Sequence, residues 1–180
     1  MSQWQVHGER SVYDSRWVQL DLVDVELPDG QRFEHHVVRM QRVAGVVVLD
    51  EHQRVLLMWR HRFITETWGW EIPMGIVEAG ETGAETGARE VLEETGWRTG
   101  PLEFLLRYQP ANGIVDSEHE LYLARGAELV GEPADATEAT RLEWVPLADI
   151  PGLIVKGELV SGASLVGLLY VRSGAVASPS

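Results

Sequence analysis

Glutamates that could bind a metal ion crowd one short segment of the chain. Seven glutamates and a single basic residue, Arg89, lie between Glu71 and Glu94. Glu93 and Glu94 lie three and four residues after Glu90, so a helix would carry all three on one face. Such neighbours repel each other, whereas a hard divalent cation prefers oxygen ligands and would hold them together. The plain alternative is a solvated helix face that only keeps the protein in solution.

The segment that carries these carboxylates has signals for the start and the end of a helix. Thr82 and Glu85 form the capping-box pattern that begins a helix, and Gly96 suits the left-handed residue that ends one. These signals predict a helix from about Gly83 to Thr95. Small and apolar residues recur inside it at spacings of four, three and four residues and would pack on a sheet: Ala84, Ala88, Val91 and Thr95.

A tight turn precedes the predicted helix and could bring a backbone oxygen to the same ion. Pro73 fixes the backbone and Gly75 allows a close turn, which makes the Met74 carbonyl a candidate ligand. Arg89 is expected to orient carboxylates rather than to catalyse, by pairing with one of three glutamates: Glu81, Glu85 or Glu93.

Length and composition exclude several classes of protein. The chain has 180 residues, a formal net charge of −13 and no cysteine, which suits one ordinary domain and rules out disulfides, thiolate metal sites and a cysteine nucleophile. An acidic chain without a basic stripe is not expected to bind nucleic acid. The longest purely apolar run, Val43–Leu49, is far shorter than the roughly 20 residues that span a bilayer. With no signal-peptide pattern, the chain is expected to be cytoplasmic and not bound to a membrane.

Alternating apolar residues and turn signals predict a mixed sheet covered by helices, an α+β or α/β architecture. The predicted strands are Leu20–Leu27, Phe33–Met40, Val43–Leu49, Val55–Trp59, Leu102–Tyr108, Glu120–Arg125 and Leu142–Leu147. In the first strand Leu20, Leu22, Val25 and Leu27 alternate with polar residues, the period of a half-buried strand. A second helical segment, with room for an interruption, is expected between Leu147 and Val171. Residues 1–40 are predicted to form a β-rich extension, residues 41–172 the main domain and residues 173–180 a flexible tail.

The segment from Gly75 to Trp97 resembles the Nudix box, the signature of the Nudix hydrolase family, over 23 residues without a gap. Four positions with structural roles in that pattern are filled: Gly75, Glu81, Arg89 and Gly96. The resemblance implies a mixed β-sheet sandwiched between helices, with an N-terminal antiparallel β extension. It also implies hydrolysis of a diphosphate linked to another moiety, usually with magnesium or manganese as the cofactor.

The same resemblance implies a set of metal ligands. Glu90 and Glu94 are the main ligands by this comparison, and Glu93 and the Met74 carbonyl complete the site. Members of the family differ over whether the residue at the place of Glu93 binds metal or acts as the base, so both roles stay open.

Further segments resemble the ADP-ribose pyrophosphatase branch of the family. Pro110 and the segment Asp135–Glu138 occupy corresponding places. This resemblance implies that Glu138 is a catalytic carboxylate, with a solvated loop residue as the alternative. The chain departs from the branch at Glu118, which is shifted by one place, and at Ala136, where an acid is common.

The ADP-ribose pyrophosphatase branch also implies how a substrate is held. Arg62 and Glu71 match positions that contact the diphosphate and the ribose, although the two residues could equally form a structural ion pair. An N-terminal sheet exchanges between subunits in that branch, so residues 1–40 imply a homodimer.

The predicted function is metal-dependent hydrolysis of the pyrophosphate bond of a nucleoside diphosphate linked to another moiety. ADP-ribose, which would give AMP and ribose 5-phosphate, is the first substrate implied. One alternative keeps this chemistry and takes another nucleotide sugar, a dinucleotide or a nucleoside triphosphate. The alternative from a different class is a non-catalytic module that binds or senses a nucleotide.

Overall fold

Residues 3–134 and 140–175 are described by the structure, a computed structural model. The chain folds into two compact units. Met1–Arg42 and Gln109–Glu118 form the first unit, and Val43–Tyr108 and His119–Ser180 form the second. No helix among the described residues is both long and apolar enough to cross a bilayer.

The elements follow one another along the chain as strands with a few helices. The strands are β1 (Gln5–Asp14), β2 (Val18–Glu26), β3 (Arg32–Met40), β4 (Val43–Leu49), β5 (Arg54–Arg62), β6 (Thr67–Glu71), β7 (Met74–Ile76), β8 (Trp97–Thr99), β9 (Leu102–Tyr108), β10 (Val115–Asp116), β11 (His119–Arg125), β12 (Ala127–Leu129) and β13 (Arg141–Pro146). The helices are α1 (Gly83–Thr95), α2 (Ile150–Val155) and α3 (Gly162–Arg172), and a turn of 3₁₀ helix (Leu147–Asp149) precedes α2.

The first unit is a small sheet built mainly from the N-terminal segment. β1, β2 and β3 form an antiparallel meander, and β10 pairs with β3 in parallel. This pairing draws Gln109–Glu118 into the first unit, whereas the sequence predicts that segment within residues 41–172. The N-terminal unit is therefore completed by a distant piece of chain.

β2 has a buried and a half-buried face. Asp21, Val23 and Val25 are buried, and they share a face because side chains alternate along a strand. Leu20 and Leu22 point to the opposite face and are only half-buried. The alternation of apolar residues changes phase within this strand, from Leu20 and Leu22 on one face to Val23 and Val25 on the other.

A seven-stranded mixed sheet forms the centre of the second unit. Its order is β13-β5-β4-β11-β9, with β6 paired to β5 and β7 paired to β4. The central strand β4 is almost completely buried, as is typical of a strand covered on both faces. Val46 belongs to the core under α1, and Val47 belongs to the core that α2 and α3 cover on the other side.

The mixed sheet covered by helices and the N-terminal antiparallel extension confirm the predicted fold class. α1 has the predicted bounds, and the second helical segment is interrupted between α2 and α3. β1 is absent from the prediction because all of its residues are exposed, so it has no buried face to detect. The predicted tail, residues 173–180, lies largely outside the described residues.

Candidate active site

α1 begins and ends at the residues whose caps predict it. The Thr82 hydroxyl accepts a hydrogen bond from the Glu85 N–H (3.2 Å), and the Glu85 carboxylate accepts one from the Thr82 N–H (2.8 Å). Gly96 takes a left-handed conformation with φ of 74°, which ends the helix. Capping at both ends fixes which residues are helical and therefore the spacing of the carboxylates on α1.

α1 lies close to the sheet because glycines face it. A Cβ added to Gly87 would come within 2.7 Å of a Val46 methyl carbon, so a side chain there would need the sheet to move. Gly83 and Gly87 are buried, whereas the predicted packing positions Ala84 and Ala88 are only half-buried. The face of α1 that packs on the sheet therefore includes Gly83 and Gly87, which the pattern of apolar residues alone does not indicate.

Glu94 lies on this packed face and is buried, with 4% of its surface exposed. Arg60 of β5 donates from Nη1 to its Oε1 atom (2.8 Å), and the Met74 N–H of β7 donates to its Oε2 atom (3.0 Å). Burial is the largest influence on the carboxyl group and raises the pKa of Glu94 to about 8. Arg60 and the Met74 N–H oppose that shift, and the like charge of Glu90 adds to it. A cation brought near Glu94 would favour its ionised form.

Arg89 donates hydrogen bonds to three carboxylates that lie on α1 or just before it. Its Nη1 atom donates to Glu90 (2.7 Å) and Glu93 (3.0 Å), while its Nε and Nη2 atoms donate to Glu81 (3.0 and 3.1 Å). Of the three partners predicted, Glu81 and Glu93 pair with Arg89, whereas Glu85 is engaged in the helix cap. These contacts, those with Glu81 above all, hold the pKa of Arg89 above its usual range.

Gly75 makes room for the side chain of Glu90. A Cβ at Gly75 would lie 2.0 Å from Glu90 Oε1, so any larger residue would push the carboxylate away. Gly75 is the middle residue of β7 and pairs with Ala44 of β4, which fixes its backbone in the sheet. This glycine is required for close approach.

Arg62 and Glu71 form an ion pair, the structural alternative that the sequence leaves open. Arg62 Nε donates to Glu71 Oε1 at 2.9 Å, and a second bond joins Nη2 to Oε2. Glu71 is buried, whereas 45% of the Arg62 side chain is exposed. The pair therefore fixes Arg62 while leaving it accessible to a bound anion.

β7 and α1 position the residues predicted as metal ligands in two groups, and Met74 contacts Glu94 through its N–H rather than through its carbonyl, the predicted ligand. Glu90 and Glu93 converge on a single cationic nitrogen, and Glu94 contacts the backbone of Met74. Within residues 3–134 and 140–175, no three acidic or histidine side chains are gathered closely enough to hold an ion. Arginines bond these carboxylates instead, so an ion would exchange with those contacts. Glu138, the predicted catalytic carboxylate, lies outside the described residues.

Arg60 contacts Glu94 in this site but is not among the residues predicted from the sequence. It follows the buried run of β5 and is itself buried, which is uncommon for arginine unless it is paired. Residues two apart on a strand share a face, so the assignment of Arg62 to the site also points to Arg60. The sequence therefore indicates that Arg60 faces the site. It does not indicate that Arg60 pairs with Glu94, because Glu94 lies on another element, α1.

The fold and this arrangement of carboxylates agree with the family models that match the chain. The NUDIX domain model matches residues 39–162, and the model of a nucleoside diphosphate sugar hydrolase N-terminal domain matches residues 4–38. The chain therefore belongs to the Nudix family and is an enzyme of the pyrophosphohydrolase type.

Similar proteins within this family act on different compounds. A CMP-5'-(N-acetyl-N-hydroxy-3-aminopropyl)phosphonate hydrolase of Streptomyces rubellomurinus is 49% identical over 168 residues, which cover 93% of this chain and 82% of the relative. An ADP-ribose pyrophosphatase of Mycobacterium tuberculosis is 28% identical over 152 residues, which cover 83% and 73%. A crystal structure of an ADP compounds hydrolase superposes with a TM-score of 0.84 at 21% identity, covering 95% of this chain and 93% of the other, and it shows the shared fold.

We predict that Glu81 stabilises the protein in a pH-dependent way. Hydrogen bonds from Arg89 and Thr86 lower the pKa of Glu81 from its ordinary 4.5 to about 2. Because the folded state holds this group ionised, its contribution is present above pH 4.5 and is lost as the pH falls toward 2. Thermal unfolding followed by circular dichroism should show a lower midpoint for Glu81→Gln at neutral pH and a gap from wild type that narrows in acid.

Glu78→Gln is the matched control, since it removes the same charge from the same turn. Its unfolding midpoint should follow that of the wild type across the pH range. A gap for Glu81→Gln that stays constant from neutral pH to pH 2 would contradict the role assigned to its ionised form.

Proposed function

We propose that this chain uses a divalent metal ion to hydrolyse the P–O–P bond between a nucleoside 5′-monophosphate and a second phosphorus group. The observation that carries the proposal is the convergence of Glu90 and Glu93 on one cationic nitrogen beside the buried Glu94, in a chain of the Nudix family. A diphosphate is an anion and the formal net charge of the chain is −13, so a bound cation is needed to attract it.

The residues proposed to hold magnesium or manganese are Glu90, Glu93 and Glu94, together with the Met74 carbonyl. All of them offer the hard oxygen atoms that these ions prefer. Support comes from Arg89, whose Nη1 atom lies within 3.0 Å of both Glu90 and Glu93 and so marks a place where positive charge fits. When bound there, the ion would bind phosphate oxygens, stabilise the charge that develops on them and lower the pKa of a water molecule.

In the proposed reaction, the oxygen of water attacks one phosphorus atom, and the bond from that phosphorus to the bridging oxygen breaks. The bridging oxygen leaves with the second phosphorus group, so the products are a nucleoside monophosphate and a phosphate or phosphonate. A carboxylate takes the proton of the water and directs its attack. Glu138 is one candidate, by the resemblance of its segment, and Glu93 is the other, because 47% of its side chain is exposed on α1.

Arg62 is proposed to contact an oxygen of the diphosphate. Its planar guanidinium suits bidentate contact with phosphate, and its partial exposure leaves it open to a ligand. Glu71 would then hold the Arg62 side chain in place through the ion pair.

Two substrates are proposed for this bond-breaking reaction. ADP-ribose follows from the sequence resemblance and from the relative at 28% identity. A cytidine monophosphate joined to a phosphonate follows from the relative at 49% identity, which spans nearly the whole chain. The two compounds share the nucleoside monophosphate and a bridging oxygen to a second phosphorus, which is the part that the carboxylate site would act on.

A panel of substrates tests the proposed function. We expect release of AMP from ADP-ribose or of CMP from the cytidylyl phosphonate in the presence of Mg²⁺ or Mn²⁺, and no release with EDTA. Liquid chromatography of the nucleotides measures each product. A preference for nucleoside triphosphates would remove both proposed substrates. No turnover across nucleotide sugars, dinucleotides and triphosphates would favour a module that only binds a nucleotide.

Removal of one proposed ligand charge should abolish most of the activity. Glu90→Gln keeps the shape of the side chain but removes an anionic oxygen, so we expect kcat/KM to fall by at least about 100-fold, the upper end of what loss of support around a metal costs. Glu94→Gln is expected to act likewise. Glu103→Gln removes an exposed carboxylate of β9 and should leave kcat/KM unchanged. Wild-type activity in folded Glu90→Gln would exclude Glu90 as a ligand.

We also propose that the protein is a homodimer formed through residues 1–40. β1 is an edge strand of the first unit, and every one of its residues is exposed. Large apolar side chains on or beside it are at least half exposed: Trp4, Val6, Val12 and Tyr13. An exposed edge strand with apolar side chains is a surface that pairs readily with another chain.

Light scattering of the full chain checks this prediction. We expect a mass near twice 20.1 kDa for the wild type and a shift toward 20.1 kDa for the double substitution Val12→Glu and Tyr13→Glu, which places charge on β1. A wild-type mass of 20.1 kDa, or a dimer that survives these substitutions, would refute a dimer formed through β1.

A further inference from the structure

Two arginines on one face of β5 hold two buried glutamates. Arg60 and Arg62 are two residues apart, so their side chains leave the strand on the same side. Arg62 pairs with Glu71, and Arg60 pairs with Glu94. The pairs differ in burial, since only 8% of the Arg60 side chain is exposed, compared with 45% for Arg62. Arg60 is therefore shielded from solvent and from direct contact with a large ligand.

Both oxygens of the Glu94 carboxylate accept hydrogen bonds, one from β5 and one from β7. Arg60 Nη1 donates to Oε1 at 2.8 Å, and the Met74 N–H donates to Oε2 at 3.0 Å. Each carboxylate oxygen has two lone pairs, so two single hydrogen bonds leave acceptor positions on both oxygens. These two hydrogen bonds fix the plane of the carboxylate and leave lone pairs that can bind an ion.

We propose that Arg60 is a positioning residue that sets the orientation of Glu94 before a metal ion arrives. This inference rests on the proposed function, in which Glu94 is a metal ligand. Residues that hydrogen-bond to metal ligands orient them and tune their affinity. Arg60 of β5 orients one oxygen of Glu94, and the Met74 N–H of β7 orients the other. The carboxylate on α1 is therefore aligned by the sheet as well as by its own helix.

A plain counter-charge would behave differently from a positioning residue. If Arg60 only supplied positive charge, Arg60→Lys, which keeps that charge, would leave the affinity for a divalent cation unchanged. If Arg60 orients Glu94, the loss of its planar guanidinium frees the carboxylate to rotate, and the cation binds more weakly. The two roles therefore predict different affinities of Arg60→Lys for the ion.

Mn²⁺ binding to the full chain, measured by electron paramagnetic resonance of the free ion without substrate, tests the proposal. We expect the Kd of Arg60→Met to rise by about 10-fold or more, the range typical of lost support for a metal ligand. Arg60→Lys keeps the charge and can still donate a hydrogen bond but loses the planar guanidinium, so its Kd should lie between those of Arg60→Met and wild type. Arg62→Met is the matched control on the same strand face and should bind Mn²⁺ as the wild type does.

The outcomes separate this inference from the proposed function. Wild-type protein that binds no Mn²⁺ would remove the metal site itself. If the wild type binds, an unchanged or smaller Kd in Arg60→Met would overturn the positioning role alone. Circular dichroism establishes whether each variant is folded, and an Arg60→Lys affinity equal to that of the wild type overturns the role whether or not Arg60→Met folds.

Discussion

Repulsion between carboxylates on one short helix is the constraint on which the site depends. Glu93 and Glu94 lie three and four residues after Glu90, and like charges at that spacing disfavour an isolated helix. The fold answers with two arginines that work differently. Arg89, on α1 itself, bonds Glu90 and Glu93, and Arg60 reaches Glu94 from the sheet. The two arginines thereby keep the negative charge close together, as the proposed metal site requires.

Holding the carboxylates in place also requires a helix that cannot shift on the sheet. The capping box and Gly96 fix its length, and Gly87 brings its backbone against the side chain of Val46. On the opposite side of the cluster, Gly75 leaves the space that the Glu90 carboxylate fills. The glycines set the distance between α1 and the strands, and the arginines set the direction of the acidic side chains. Both sets of residues therefore hold the carboxylates in place.

What the sequence predicts well is local, and what it misses depends on partners far along the chain. The bounds of α1 follow from Thr82, Glu85 and Gly96, whose capping roles involve only near neighbours. The burial of Arg60 could not be assigned, because its partner Glu94 lies 34 residues away on another element. β10 likewise joins the N-terminal sheet by pairing with β3, which no local pattern of so short a strand indicates. That Glu90 and Glu93 lie side by side follows from helical spacing alone, because they are three residues apart on α1.

The difference between the named activities of the relatives is compatible with one site. A cytidylyl phosphonate and ADP-ribose both contain a phosphorus–oxygen–phosphorus bridge next to a nucleoside, and they differ in the base and in the group beyond the second phosphorus. Carboxylates that hold a cation act on the bridge and its charged oxygens, because their interaction is with charge and not with the shape of a base or sugar. Specificity must then come from side chains that contact the two ends of the substrate. For this reason the Nudix box supports the bond that is broken far more strongly than it supports any one substrate.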